Sequence, residues 1–140
     1  MQLALAAARG AAERGETPVG AVLFDPATGE VVATAGNGPI GAHDPTAHAE
    51  VLAIRHAATI LGNERLDGCA LWVTLEPCAM CAGAILHSRI ARVVVARVHV
   101  VLPERVAPGD DVAAPGDVFV ARAAGLHTLV EQVAENVLER

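Results

Sequence analysis

The spacing of apolar and polar residues along the chain predicts helices that alternate with short strands. Apolar residues near the N-terminus follow a helical period and stop at Gly15, so residues 2–14 are expected to form a helix. The next apolar run, PVGAVLFD, resembles a strand, and the turn sequence DPATG follows it. A β-hairpin with strands over 17–25 and 30–35 is therefore expected, followed by a Gly-rich loop over 36–44.

The middle of the chain predicts a second helix, over residues 46–61, which ends at Gly62. Either Asp44 or Thr46 can cap its start. The elements expected after it are strands over 69–75, 91–102 and 126–130, helices over 78–87 and 131–140, and a Pro-rich loop over 103–116. Residues 117–124 favour a short helix, with a strand as the alternative.

This alternation predicts a single α/β domain over residues 1–140, with helices layered on one sheet. After the hairpin, strands joined through a helix are expected to be parallel neighbours. The chain has 140 residues, of which 53% are hydrophobic and 19% charged, and this composition fits one globular domain with a real core.

Charge and aromatic content argue against an extended nucleic-acid surface. The net charge is −6 and all ten basic residues are arginines, so a long basic grip on a phosphate backbone is not expected. Phe24, Trp72 and Phe119 are the only aromatic residues, which makes a platform that stacks several bases in a row unexpected. A small local contact with a nucleic acid remains compatible with this composition.

Targeting signals and cysteine usage favour a cytoplasmic location. No apolar run approaches the roughly 20 residues that a membrane span needs. The N-terminal segment has Arg9 and Arg14 inside an Ala-rich run and lacks the pattern of a signal peptide. Three cysteines cannot all pair, and two of them form a CxxC, so a reducing compartment and metal or redox use are expected.

The sequence PCAMC carries the first half of a candidate metal site. A strand precedes it and a helix follows, and Pro77 suits the first turn of that helix. Cys78 and Cys81 are then three residues apart on one face of the opening turn. The positive end of the helix dipole is expected to favour their thiolate forms, which bind metal. A thiol redox pair is the alternative use of the CxxC.

The sequence HAE, thirty residues earlier, supplies the other half. His48 and Glu50 can face one site only if His48 lies in the first turn of its helix or just before it. One imidazole and two thiolates suit zinc and leave a fourth position for water, with Glu50 as a nearby carboxylate that does not bind the metal. A purely structural zinc site would need a fourth protein ligand, and His87 is the candidate.

The segments HDPTAHAE, TLEPCAMC and AGAILHSRI resemble the bacterial tRNA adenosine deaminases, within the cytidine-deaminase-like superfamily of zinc deaminases. ETPVGAVL and GNGPIG also fit, and the resemblance covers roughly residues 16–95. It implies a zinc-dependent hydrolytic deaminase that converts adenosine to inosine at the anticodon wobble position of tRNA. It also implies a three-layer α/β/α sandwich with a five-stranded mixed sheet, and a homodimer.

The resemblance gives a role to each residue of the motif. His48, Cys78 and Cys81 are implied as the ligands of one zinc ion per chain. Glu50 is implied as the catalytic proton shuttle. Asn37 matches a loop asparagine that contacts the substrate nucleotide, and simple turn chemistry is the alternative for it.

The chain departs from this family in the segments expected to meet RNA. Gly36 and Gly38 replace the aromatic and basic residues that often flank the loop asparagine, and residues 131–140 contain three glutamates and one arginine. A deaminase of a free base or nucleoside, of the cytosine, guanine or adenine type, is therefore the second hypothesis. An inactive, zinc-stabilised partner subunit is the third, and the presence of Glu50 counts against it.

Overall fold

The computed structural model describes residues 1–96 and, for the backbone alone, residues 118–122. The helices of this part are α1 (Gln2–Glu13), α2 (Pro39–Ala42), α3 (Ala49–Leu61) and α4 (Ala79–His87). Its strands are β1 (Gly20–Asp25), β2 (Glu30–Gly36), β3 (Ala70–Val73), β4 (Arg92–Ala96) and β5 (Val118–Arg122). No helix in the described ranges combines the length and the apolar character needed to cross a membrane.

The strands pair in the order β2-β1-β3-β4-β5 and form a mixed sheet. The β1–β2 hairpin is antiparallel, as is the pairing of β1 with β3. The β3–β4 pair is parallel, which confirms the parallel neighbours expected on either side of α4. The strands on either side of α3, β2 and β3, are not neighbours, and this part of the expectation is wrong because β1 lies between them and pairs with β3. Four of these strands, rather than the predicted five, are described with their side chains, and the backbone of β5 pairs antiparallel with β4.

The strand β5 corrects the expectation of a short helix over 117–124 and confirms the strand alternative. Val118, Phe119 and Val120 favour extended backbone, and the edge of β4 offers hydrogen-bond partners that an isolated short helix lacks. The strand expected over 126–130, the helix over 131–140 and the loop over 103–116 lie outside the described residues.

One face of the sheet carries the main core, which contacts α3 and α4. Alanines at every fourth position of α3, namely Ala49, Ala53 and Ala57, are fully buried against this face. Leu23 and Leu71 face them from β1 and β3. Because the α3 side chains at this contact are single methyl groups, the helix lies close to the strands, and its N-terminus is fixed relative to the sheet.

Two glycines allow α1 to lie against β1 and β2. Gly20 and Gly36 face each other across the hairpin. A methyl group at Gly20 would overlap the carbonyl oxygen of Ala4, and one at Gly36 would lie 2.5 Å from the carbonyl oxygen of Ala7. Neither position can therefore hold a larger residue without moving α1.

Several element boundaries differ from the sequence expectations. The loop expected over 36–44 contains α2, and α3 begins at Ala49 rather than near residue 46. Asp44 does not cap α3, because its carboxylate accepts hydrogen bonds from the backbone N–H and the hydroxyl of Thr46, at 2.8 Å and 2.7 Å, within a turn that precedes the helix. The strand β3 is also shorter than the expected 69–75, and β4 begins at Arg92 rather than at residue 91. Residues 97–102 of that expected strand lie outside the described residues.

Candidate metal centre

His48, Cys78 and Cys81 meet at one point between the N-termini of α3 and α4. The two sulfur atoms lie 3.6 Å apart, and the Nδ1 atom of His48 lies 3.6 Å from the sulfur of Cys78 and 3.5 Å from that of Cys81. In the described residues these three side chains form a cluster of potential metal ligands. The sequence prediction that these residues come together is confirmed.

The dimensions of this triangle fit a tetrahedral zinc ion. Zinc–sulfur bonds of about 2.3 Å and a zinc–nitrogen bond of about 2.0 Å, arranged tetrahedrally, place sulfur roughly 3.8 Å from sulfur and roughly 3.5 Å from nitrogen. The observed separations agree with these values within about 0.2 Å, the tolerance used for metal sites. The His48, Cys78 and Cys81 cluster fits one zinc ion per chain, and no fourth ligand joins it among residues 1–96.

Local backbone geometry aims each ligand at this point. His48 is the N-cap of α3 and has an extended backbone, with φ −69° and ψ 150°. It therefore lies just before the first turn of its helix, as is required if His48 and Glu50 are to face one site. Cys78 is the N-cap of α4, and Cys81 lies three residues later on the first turn. Pro77 therefore precedes the N-cap rather than standing in the first turn as expected.

The end of β3 fixes the approach to Cys78. The backbone N–H of Gly20 donates a hydrogen bond of 3.0 Å to the buried hydroxyl of Thr74, and the carbonyl of Gly20 accepts one of 3.0 Å from the N–H of Thr74. This double contact ties the chain between β3 and Cys78 to the start of β1. This contact fixes the position of Cys78 and Cys81 relative to the centre of the sheet.

The Cys81 thiol does not have the environment expected from the helix dipole alone. Cys81 is fully buried, and this burial, followed by the negative charge of the nearby Glu50, raises the pKa of its thiol well above the ordinary value. The partial positive charge of the helix N-terminus acts in the opposite direction and favours the thiolate. The thiolate form at this position depends on a bound cation, whose charge offsets the effects of burial and of Glu50.

Glu50 lies on the first turn of α3, next to the cluster but outside its ligand set. It is 3% exposed, and burial raises the pKa of its carboxyl above the usual range. A carboxylate that is isolated from solvent next to a metal position can take up and release protons during a reaction. Its burial shows that Glu50 is not a solvated carboxylate on an exposed helix face.

Asn37 is also brought to the site, by a contact that the sequence did not reveal. It is 7% exposed, and its Oδ1 atom accepts a hydrogen bond of 3.3 Å from the backbone N–H of Ala49, which lies between His48 and Glu50. Because an N–H group needs an oxygen acceptor, this contact fixes the orientation of the amide. Asn37 thus supplies the side-chain cap that His48 does not provide.

Two further residues complete the comparison with the sequence expectations. His87 is exposed in the last turn of α4 and is not part of the ligand cluster of residues 1–96, so it does not provide a fourth ligand. Sequence reasoning missed Glu16, a buried carboxylate that accepts hydrogen bonds from the backbone of α2. A charged residue directly after a helix-ending glycine was the available signal.

A profile of the cytidine and deoxycytidylate deaminase zinc-binding region matches residues 1–97. The chain belongs to this deaminase family. The resemblance seen in the sequence motifs is confirmed, and the match includes every residue of the metal cluster together with Asn37 and Glu50. The α/β architecture of the described residues is the one expected for this family.

Among the relatives of this chain, the tRNA-specific adenosine deaminase of Agrobacterium fabrum is 54% identical over 92 residues, which are 66% of this chain and 59% of that protein. A structure from a study of A-to-I editing by tRNA:A34 deaminases at the wobble position is 54% identical, with a TM-score of 0.64, and covers 66% of this chain and 70% of that one. The Bacillus subtilis guanine deaminase is 32% identical, with a TM-score of 0.66, and covers 96% and 90%. The chain thus spans about six tenths of the curated relative's length.

Proposed function

We propose that this chain is a zinc-dependent hydrolytic deaminase that converts adenosine to inosine in tRNA, at the wobble position of the anticodon. The proposal rests on one observation: three potential zinc ligands, His48, Cys78 and Cys81, lie at tetrahedral spacing with no fourth ligand among the described residues, and the buried Glu50 lies beside them. A structural zinc site would be closed by a fourth protein ligand. The 54% identity to a tRNA-specific adenosine deaminase supports the choice of substrate.

In this mechanism His48, Cys78 and Cys81 would hold the metal. When bound, zinc would supply the Lewis acidity that makes water a nucleophile near neutral pH. Glu50 would accept one proton of the attacking water and pass it to a ring nitrogen, while a C–O bond forms at the carbon that bears the exocyclic amine. Glu50 would then carry the proton of the new hydroxyl to that amine, the C–N bond would break, and ammonia would leave as the carbonyl forms. The buried position of Glu50 keeps the proton between these steps from exchanging freely with solvent.

Asn37 is proposed to bind the substrate nucleotide with its Nδ2 group. Its Oδ1 atom is committed to the N–H of Ala49, whereas its Nδ2 group donates no hydrogen bond to the described residues. A donor held at the first turn of α3, between the metal ligand and the proton carrier, is placed to meet an acceptor on the base or ribose.

The second candidate is a deaminase of a free base, for which guanine is the favoured example. The guanine deaminase of Bacillus subtilis is matched over 96% of this chain, whereas the tRNA-editing structure is matched over 66%. The net charge of −6 and the acidic 131–140 segment also favour a small uncharged substrate over a polyanion. The catalytic residues would be the same in either case.

The experiment is ammonia release from a panel of substrates, with zinc content measured on the same samples. Wild type is expected to contain about one zinc per chain and to act on an anticodon stem-loop in preference to free adenosine, cytosine or guanine. Glu50→Ala should retain zinc and lose activity by at least about 10³-fold. Glu30→Gln, which neutralises an exposed carboxylate at the start of β2, is the matched control and should be fully active.

Each other outcome contradicts a different part of the proposal. A preference for free guanine would show that the substrate is a free base, while the proposed mechanism would stand. A protein without zinc, or a fully active Glu50→Ala variant, contradicts the mechanism. A zinc-loaded wild type that is inactive on the whole panel supports the third hypothesis, an inactive partner subunit.

We also propose that residues 1–140 form one three-layer α/β/α domain with a five-stranded sheet, and that it acts as a cytoplasmic homodimer. Gly20 contacts α1 and Leu23 packs with α3, and the layering is supported because these residues are three positions apart on β1 and therefore face opposite sides of the sheet. Two exposed apolar side chains, Leu75 between β3 and α4 and Met80 in the first turn of α4, support the dimer. Sedimentation at the mass of a single chain would contradict it.

A further inference from the structure

The end of α1 is built to turn Glu16 into the protein. The N–H of Gly15 donates to the carbonyl of Ala12 at 2.9 Å, and the N–H of Glu16 donates to the carbonyl of Ala11 at 3.0 Å. This is the hydrogen-bond pattern of a Schellman motif, and it needs the left-handed backbone of Gly15, whose φ is 78°. The turn leaves Glu16 only 6% exposed.

The carboxylate of Glu16 acts as the N-cap of α2, from 24 and 25 residues away in the sequence. Its Oε2 atom accepts a hydrogen bond of 3.2 Å from the N–H of Ile40, and its Oε1 atom accepts one of 2.8 Å from the N–H of Gly41. The local N-cap, Gly38, has no side chain, and Pro39 at the first helical position has no N–H. Glu16 therefore satisfies both free N–H groups of the first turn.

The helix that Glu16 caps has little else to stabilise it. It has four residues, none of which is buried, and a helix of that length does not form on its own in water. Ile40 is 65% exposed, so apolar packing of its largest side chain does not hold the segment in place. Its position therefore depends on hydrogen bonds at its two ends.

This segment connects directly to the candidate active site. The N–H of Gly38 donates to the carbonyl of Ala47 at 3.0 Å, next to the metal ligand His48. Asn37, one residue before Gly38, caps α3 with its side chain, and its carbonyl accepts a 3.4 Å hydrogen bond from the Arg14 guanidinium. The segment 37–42 is thus one wall of the site, attached to α3 on one side and to the end of α1 on the other.

We propose that Glu16 is a positioning residue for substrate binding, which holds segment 37–42 so that the Asn37 amide faces the nucleobase substrate. The proposal rests on the function proposed above only in giving Asn37 a substrate contact. Glu16 touches no reacting atom. The metal ligands and Glu50 lie on α3 and α4, so loss of the Glu16 contacts affects substrate affinity before it affects the chemical step.

The kinetic test uses two variants of Glu16 and a matched control. Glu16→Gln places an N–H₂ donor against one of the two backbone N–H groups, and Glu16→Asp keeps the charge but shortens the reach by one methylene group. Both should raise KM by about tenfold and leave kcat within about twofold, because a hydrogen bond to a charged group is lost. Zinc content should be unchanged. Glu13→Gln, an exposed carboxylate at the end of α1, should behave as wild type.

Two kinetic outcomes would overturn the proposal. A drop in kcat at unchanged KM would place Glu16 in the chemical step. Wild-type KM in Glu16→Asp, with a raised KM in Glu16→Gln, would show that the negative charge of residue 16 matters and its position does not.

A second measurement does not depend on activity, and its first part uses the wild-type protein alone. Hydrogen exchange in the zinc-loaded wild type should show the Ile40 and Gly41 amides protected by at least about tenfold over an unstructured chain. In folded Glu16→Gln, the side-chain amide resonance of Asn37 should shift while that of Asn63 stays in place. Unprotected Ile40 and Gly41 amides, or an unmoved Asn37 resonance, contradict the positioning role. If wild type is inactive on every substrate but both observations hold, the proposed function fails and the positioning of Asn37 by Glu16 stands.

Discussion

At the scale of single residues, the same side chains serve both the fold and the proposed chemistry. Asn37 caps α3 through its Oδ1 atom, and its Nδ2 group is the one that we propose for substrate binding. His48 is the N-cap of α3 and belongs to the cluster of potential metal ligands, and its side chain does not cap the helix. The cap comes from Asn37 instead, and this contact couples the metal cluster to the loop proposed to bind substrate.

The two functions of Asn37 can be separated by substitution. Asn37→Asp keeps an oxygen for the Ala49 N–H but replaces the Nδ2 donor by a second acceptor, so we expect near-wild-type stability and a KM raised by at least about tenfold. Asn37→Ala loses both contacts and should also lose about 1 kcal/mol of stability. Chemical denaturation and steady-state kinetics check these values.

Asn63→Asp provides the matched control for these variants. Asn63 also accepts a backbone hydrogen bond through its Oδ1 atom, from Arg65, but it is exposed and far along the chain from the site motifs. It should change neither KM nor stability appreciably. An Asn37→Asp variant with wild-type KM would show that Asn37 is a cap and not a substrate ligand.

At the scale of elements, the position of the site depends on how closely helices lie against the sheet. Single methyl groups of α3 pack against one face, and glycines of β1 and β2 accommodate α1. The resulting backbone is close-packed and allows little sliding of α1 along the strands. Since α1 ends in the turn that carries Glu16, the placement of α1 also affects the position of segment 37–42 beside the candidate site.

A methyl group between α1 and the sheet should therefore be costly. Gly20→Ala would drive a side chain into the backbone of Ala4, so we expect a loss of about 3 kcal/mol in the free energy of unfolding. Gly10→Ala, within α1 itself, meets only ordinary contact at 3.5 Å with Arg14 and should gain roughly 0.5–1 kcal/mol from helix propensity. Urea denaturation of both variants measures the difference, and equal stabilities would contradict the close approach.

At the scale of the whole molecule, a bound metal would connect the N-termini of α3 and α4. Its ligands come from α3 and α4, which are thirty residues apart in sequence and contact each other near their N-termini. The binding energy of the metal is therefore partly folding energy. Burial of the Cys81 thiol adds to this dependence, because an uncompensated thiolate is unfavourable there.

Removal of the metal should lower stability as well as activity. We expect a chelator to lower the melting temperature by roughly 10 °C and Cys78→Ala to reproduce this loss with no zinc bound. Cys69→Ala is the control, because it removes a buried cysteine that directly precedes β3 and lies outside the metal cluster. This variant should bind zinc at wild-type stoichiometry. A melting temperature that a chelator does not change would show that metal binding contributes nothing to folding.

The sequence by itself determined the chemistry of the site and most of the element order. The HxE and PCxxC motifs are local patterns, and a ligand at a helix N-terminus needs only the residues around it to be recognised. Hydrophobic period and turn residues likewise located α1, the hairpin, α3, β3 and α4 within a few residues.

The tertiary structure alone decided how the site is supported. The capping of α2 by Glu16 and of α3 by Asn37 joins residues that are 24 and 12 positions apart, and nothing in either local sequence identifies its partner. The strand β5 replaced an expected helix because the edge of β4 was available to pair with it. The physical reason is common to these cases: a backbone N–H or C=O group must find a partner, and which partner it finds depends on the path of the whole chain.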